Sequence, residues 1–140
     1  MKTIAYRIIV IAASVIALGT TAFGQTRMTA EIPFSFRTAS GTMPAGTYEF
    51  NRAPSAVLGH SIIIRNVATD KSVFAGNSLF NSYSRATEAP VAVFVCGTDG
   101  SCALKALKTR DGSTEYDVPK SKNREKMSEI KVPMKPLSSD

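Results

Sequence analysis

Apolar and polar residues alternate with a period of two along much of this chain. In Glu31-Ile-Pro-Phe-Ser-Phe-Arg37, Ile32, Phe34 and Phe36 alternate with Glu31, Ser35 and Arg37. In Met43-Pro-Ala-Gly-Thr-Tyr-Glu-Phe50, Tyr48 and Phe50 alternate with Thr47, Glu49 and Asn51. A strand with one buried and one wet face has this period. Pro44 presets φ at the first corner of a turn, and Gly46 relieves crowding at its exit. The two stretches read as a pair of strands to which the rest of the chain adds further strands.

Residues 25–30 read as a flexible start, and Asn51 to Gly59, with Pro54 and Gly59, as a connection. His60-Ser-Ile-Ile-Ile-Arg-Asn-Val67 is the strongest strand, being rich in β-branched residues. Ala68-Thr-Asp-Lys71 is a turn leading to Ser72-Val-Phe-Ala75, its hairpin partner. Gly76 to Pro90 is a long polar loop interrupted by Leu79, Phe80 and Tyr83. Val91-Ala-Val-Phe-Val-Cys96 is apolar on both faces, which predicts a central strand. Gly97-Thr-Asp-Gly-Ser101 is a tight turn centred on Asp99-Gly100. Two readings compete for Cys102 to Lys108. Leu104 and Leu107 stand at helical spacing, whereas the turn before and Asp111-Gly112 after favour a strand. Ser113 to Val118 is a last short strand, stopped by Pro119, which has no ladder N–H.

Seven short strands at hairpin spacing predict an all-β fold, a single antiparallel β-sandwich or small open barrel. A transmembrane barrel needs about eight strands of about ten residues, and these are mostly too short. Three segments are expected: a signal peptide over 1–24, a β domain over 25–119, and a basic, largely irregular tail over 120–140 with a turn or two of helix around Asn123–Ile130.

The signal peptide rests on Lys2 and Arg7, the apolar run Ile8 to Leu18, and Ala22-Phe23-Gly24 ahead of Gln25. These are the basic, apolar and small-residue regions of a secretory leader, here expected as a helix. An uncleaved anchor is the alternative, although the apolar run is short for a transmembrane helix. No cysteine stands near the cleavage site, so lipidation there is not expected. Export places the domain in the periplasm or outside the cell.

With 44% apolar and 20% charged residues the composition is that of a globular protein. Cleavage would remove Lys2 and Arg7 and lower the net charge of +6 by two. Most of the remaining excess lies in the tail, at Lys120, Lys122, Arg124, Lys126, Lys131 and Lys135. Such a tail is ordinarily a solvated one; weak contact with anionic surfaces is the functional reading. Nucleic-acid binding is not expected without an aromatic-interleaved basic face.

Candidate chemistry is sparse. Cys96 and Cys102 flank the five-residue turn 97–101 in a chain bound for oxidising surroundings, and a hairpin would bring them within disulfide range. Two unpaired thiols are the alternative. A redox pair is disfavoured by a spacing other than Cys-x-x-Cys. A closed zinc site takes four ligands, and the chain has two cysteines and one histidine, His60. No metal and no cofactor are expected. His60, beginning a strand, reads as a half-exposed structural residue; a nucleophilic pair with either cysteine would compete with the disulfide. Asp70, Asp99 and Asp111 fall in turns, where aspartate serves geometry. A carboxylate pair such as Glu49 with Glu115 could face across a cleft, although nothing in the sequence places them so. Phe34, Phe36, Tyr48, Phe50, Phe74, Phe94 and Tyr116 read as core. Phe80 and Tyr83 lie in the polar loop and are candidate contacts for a ligand or partner, although plugging the end of the sandwich is the favoured role. The absence of tryptophan weakens a carbohydrate platform.

The Pro33-Phe34-Ser35-Phe36 strand, the Pro44-Ala-Gly-Thr-Tyr48 turn, Val93-Phe94-Val95 and Pro119-Lys-Ser-Lys-Asn-Arg-Glu125 together resemble a group of small exported bacterial proteins of unknown function. The resemblance covers roughly residues 31–126 and rests on short motifs. It implies a compact β domain outside the cytoplasm and brings no catalytic residue. The cysteine pair departs from that pattern.

The expectation is a non-enzymatic module of the cell envelope, structural or protein-binding. A small-ligand or glycan-binding module is the second reading, and an envelope hydrolase the third. A filled core with an exposed apolar edge would favour the first, and an open mixed pocket the second.

Overall fold

The computed structural model describes residues 27–53, 61–82, 89–110, 112–118 and 126–137, with backbone only for 79–82. The expected signal helix, His60, Tyr83, Asp111 and the 119–125 run lie outside these residues.

Among the described residues twelve strands form two facing sheets. They are β1 (Met28–Ile32), β2 (Phe36–Thr38), β3 (Gly41–Met43), β4 (Gly46–Arg52), β5 (Ile62–Asn66), β6 (Ser72–Phe74), β7 (Ser78–Ser82), β8 (Val91–Cys96), β9 (Cys102–Thr109), β10 (Gly112–Tyr116), β11 (Ser128–Pro133) and β12 (Lys135–Pro136). The first sheet runs β12-β1-β4-β5-β6, and the second β11-β8-β9-β10-β7. The β2–β3 hairpin joins the second sheet where β2 runs parallel to the start of β9, with Phe36 opposite Cys102. The other pairings are antiparallel. Among the described residues there is no closed barrel, and the all-β fold expected from the sequence is present as two sheets.

The strand count exceeds the expected seven partly because the chain changes sheet inside a stretch that reads as continuous, and partly because strands lie where a loop and a tail are expected. Pro33 lacks the N–H a ladder needs. The stretch from Glu31 to Arg37 therefore breaks there, leaving β1 in the first sheet and β2 in the second. Further crossings lie at Pro44-Ala45, at Ala75–Asn77 and at Met134. The expected flexible start is instead β1 from Met28 onward, with Met28, Ala30 and Ile32 facing inward and buried. The expected loop after Gly76 contains β7, which borders β10. The largest correction concerns 120–140. Its residues 128–136 are not irregular: β11 pairs along six residues with β8, and β12 pairs with β1. Ile130 and Val132 alternate with Glu129 and Lys131, the same two-residue period as elsewhere. The surrounding lysines obscured it.

Other expectations hold. The competing readings of 102–108 resolve to strand, since β9 pairs with both β8 and β10. The β5–β6 hairpin forms, and β8 is central. Phe94 of β8 is fully buried in the core, and Val93 on its opposite face is only 2% exposed.

Phe36, Tyr48, Phe94, Ile32 and Ile64 centre the core and are essentially solvent-free. Phe36 stands edge-on to both Tyr48 and Phe94 at 5.2 Å between centroids, and Phe34 meets Phe94 likewise. Edge-to-face contacts satisfy the ring quadrupoles while each ring leaves water. The Tyr48 hydroxyl donates to the Pro44 carbonyl, so the turn motif closes upon its own tyrosine.

Candidate functional site

Each place where chemistry could reside can be followed from its residues. Cys96 and Cys102 are directly opposite in the β8–β9 hairpin and form a disulfide, with Cα atoms 4.0 Å apart. Both are buried at the end of the core. The turn between them is tied by Gly97 N–H to the Ser101 carbonyl at 2.8 Å. Asp99 accepts from the Ser101 hydroxyl at 2.7 Å and from its N–H at 3.1 Å. The hydroxyl bond above all holds the Asp99 carboxyl below its ordinary value. Asp99 is thus a turn former, as its sequence context implies.

The carboxylates are dispersed. Glu49 sits between inward-facing Tyr48 and Phe50, so it projects from the outer side of the first sheet. There Arg65 donates to it at 3.1 Å and to Asp70 at 2.5 Å. Glu115 lies on β10 next to inward Tyr116, and so projects from the opposite side of the sandwich. The two glutamates that a cleft would need therefore lie back to back. Among the described residues no group of three His, Cys, Asp or Glu side chains is placed to hold a metal. Asp70 adopts a φ of 59° at the end of the β5–β6 turn. Asn66 is buried there, and its side-chain oxygen accepts from the N–H groups of Ala68 and Thr69 at 2.9 and 3.0 Å.

The candidate contacts Phe80 and Tyr83 are not brought into a described site. The backbone of Phe80 lies in β7, opposite Glu115. Tyr83 is outside the described residues.

The sheet edges differ more than the faces do. A free edge offers unpaired backbone groups to another strand unless it is short, charged, bulged or covered. β6 is three residues long and covered in part, because Ser40 donates to the Phe74 carbonyl at 2.8 Å. β12 is two residues, one of them proline. β11 is six residues long, with β8 hydrogen-bonded on one side and no second strand hydrogen-bonded to it among the described residues, although β1 of the first sheet approaches it. Val132 of β11 faces the core and is 7% exposed. Ile130 shares that face, opposite fully buried Phe94, yet remains 37% exposed. Leu137, 40% exposed, follows β12 at the edge of the first sheet, where its N–H donates to the Arg27 carbonyl at 2.8 Å. Among the described residues the exposed large apolar side chains are Val67, Ile130 and Leu137, and the last two lie in and just after the edge strands β11 and β12.

On the wet face of this edge, Glu129 accepts from Lys105 at 3.0 Å. That hydrogen bond, with the charges of Lys105, Lys131 and Lys108, holds its carboxyl below the ordinary range. Sequence reasoning missed this edge because it assigned 120–140 to the tail. The available signal was Ser128-Glu-Ile-Lys-Val-Pro133, strict alternation closed by proline.

Comparisons with protein-family models, with curated proteins and with solved structures find no match to this chain.

Proposed function

We propose that this chain is an exported, non-catalytic protein-interaction module of the cell envelope, working through the β11 edge. The observation that carries the reading is Ile130. It lies on the inward side of a six-residue edge strand, opposite fully buried Phe94, and over a third of it is left in water. A strand added there would cover Ile130 and pair backbone groups that no strand among the described residues pairs. The basic, apolar and small-residue regions of residues 1–24, and a disulfide that needs oxidising surroundings, support export to the periplasm or beyond. The motif resemblance described above points to the same compartment. The glycan reading had its support at Phe80 and Tyr83, and no described side-chain geometry adds to it.

The test is export of the chain with a photo-crosslinking residue in place of Lys131, beside a control with the same residue at exposed Thr98 in the disulfide hairpin turn. Protein adducts are expected at 131 and not at 98. Equal labelling of both sites, or none at 131, refutes the edge. Mass analysis of the same samples is expected to find Gln25 as the first residue.

A further inference from the structure

An edge strand with one lysine repels most partners; one with glutamate and lysine two residues apart can recognise its own reverse. Glu129 and Lys131 share the wet face of β11, and Ile130 between them points the other way, toward the core side. We propose that β11 pairs antiparallel with β11 of a second copy of this chain, about a two-fold axis through Ile130, so that the second sheets of two molecules become one continuous sheet. The proposal rests on the interaction-edge reading and names its partner.

The register follows from charge and face. With the two Ile130 residues opposite each other, Glu129 faces the partner's Lys131, and Lys131 faces the partner's Glu129. Both cross-strand pairs are opposite in sign and lie on the solvent side. The two half-exposed isoleucines meet on the other side and complete the burial that Phe94 begins. A two-residue slip in either direction sets Glu129 against Glu129, or Lys131 against Lys131, which is repulsive. A one-residue slip sets Ile130 against the partner's wet face. One register therefore satisfies both faces. Among the described residues Glu129 is engaged through Oε2 by Lys105 at 3.0 Å, and its side chain is 43% exposed. Leu137, also exposed, follows β12 at the edge of the first sheet. Closed two-fold pairing is the commonest form of self-association and uses one self-complementary patch.

The experiment is sedimentation of the mature, oxidised protein over a concentration series, with three variants: Glu129→Lys, Lys131→Glu, and the double exchange E129K/K131E. Circular dichroism checks that each is folded. The native protein is expected to dimerise, each single variant to be monomeric, and the double exchange to recover the dimer, because it restores opposite signs across the axis. A native monomer throughout the series overturns the proposal. So does a dimer that persists in both single variants, or a folded double exchange that stays monomeric. Crosslinking from position 131 in otherwise native protein covers the case of variants that fail to fold: an adduct of twice the protomer mass supports self-pairing. A monomer that crosslinks to a different protein overturns self-pairing and leaves the module reading standing. A monomer with no adduct overturns both.

Discussion

Reducing the Cys96–Cys102 disulfide is expected to lower the melting temperature by about 10 °C without unfolding the domain at 25 °C. The crosslink spans six positions in sequence. In a chain-entropy treatment, a loop that short removes about 7 cal/mol/K from the unfolded ensemble, or about 2 kcal/mol at 25 °C. A domain of roughly 100 residues has an unfolding entropy of about 0.2 kcal/mol/K near its midpoint, so 2 kcal/mol becomes about 10 °C. Reduction is the cleaner perturbation. Both sulfurs remain at 5% and 6% exposed positions in the core, and the β8–β9 ladder continues beyond them. Only the covalent tie is lost. The assay is calorimetry of oxidised and fully reduced protein at neutral pH, with the gain of two hydrogens verified by mass. Replacing both cysteines by alanine is expected to cost more than reduction, since buried sulfur is then lost as well. An unchanged melting temperature on complete reduction would refute the entropic reasoning. Loss of all cooperative structure would show instead that the hairpin pairing cannot survive without the bond.

Further perturbations test the core and its turns. Phe36→Ala removes a solvent-free ring that contacts both Tyr48 and Phe94, and is expected to cost about 3–5 kcal/mol in urea unfolding. Gly76→Ala forces a side chain onto a φ of +126° and sets its Cβ 2.9 Å from that of Ala39. The expected loss is about 2 kcal/mol. Asn66→Ala strips the acceptor from the N–H groups of Ala68 and Thr69, with an expected loss of about 1–3 kcal/mol by the same measurement. Tyr116 is buried, and its hydroxyl has no hydrogen-bond partner among the described residues; desolvation raises its pKa above the ordinary 10.0. The folded state then keeps a proton that the unfolded state releases, so the stability from this group is complete below pH 10 and is lost as pH rises above it. Tyr116→Phe is expected to be neutral or stabilising at pH 7 and to flatten the alkaline fall in stability. A steeper fall in the variant would contradict the burial argument.

Much of the local structure was legible because alternation is a property of consecutive residues. Ile32, Phe36, Tyr48 and Phe50 announce their inward face in one dimension, and all are buried. The Cys96–Cys102 bond was legible for the same reason: a five-residue turn leaves the pairing little freedom. Strand ends were harder. β1 and β2 read as one strand because Pro33 stops a ladder without saying where the chain goes next.

Neighbouring residues alone carry the all-β character with its two-residue period, the main hairpins, and a turn that brings Cys96 and Cys102 within bonding reach, since each depends on positions a few residues apart. The folded chain alone assigns each strand to its sheet, because that choice depends on contacts far apart in sequence. Phe36 reaches Cys102, and residues 128–133 return to pair with 91–96. It also decided the candidate site. Ile130 occupies an inward position by its pattern, and what leaves it in water is that no described strand follows β11 at the edge of the sheet. Exposure of that kind is set by the strand order of the whole sheet, which alternation along one strand does not encode.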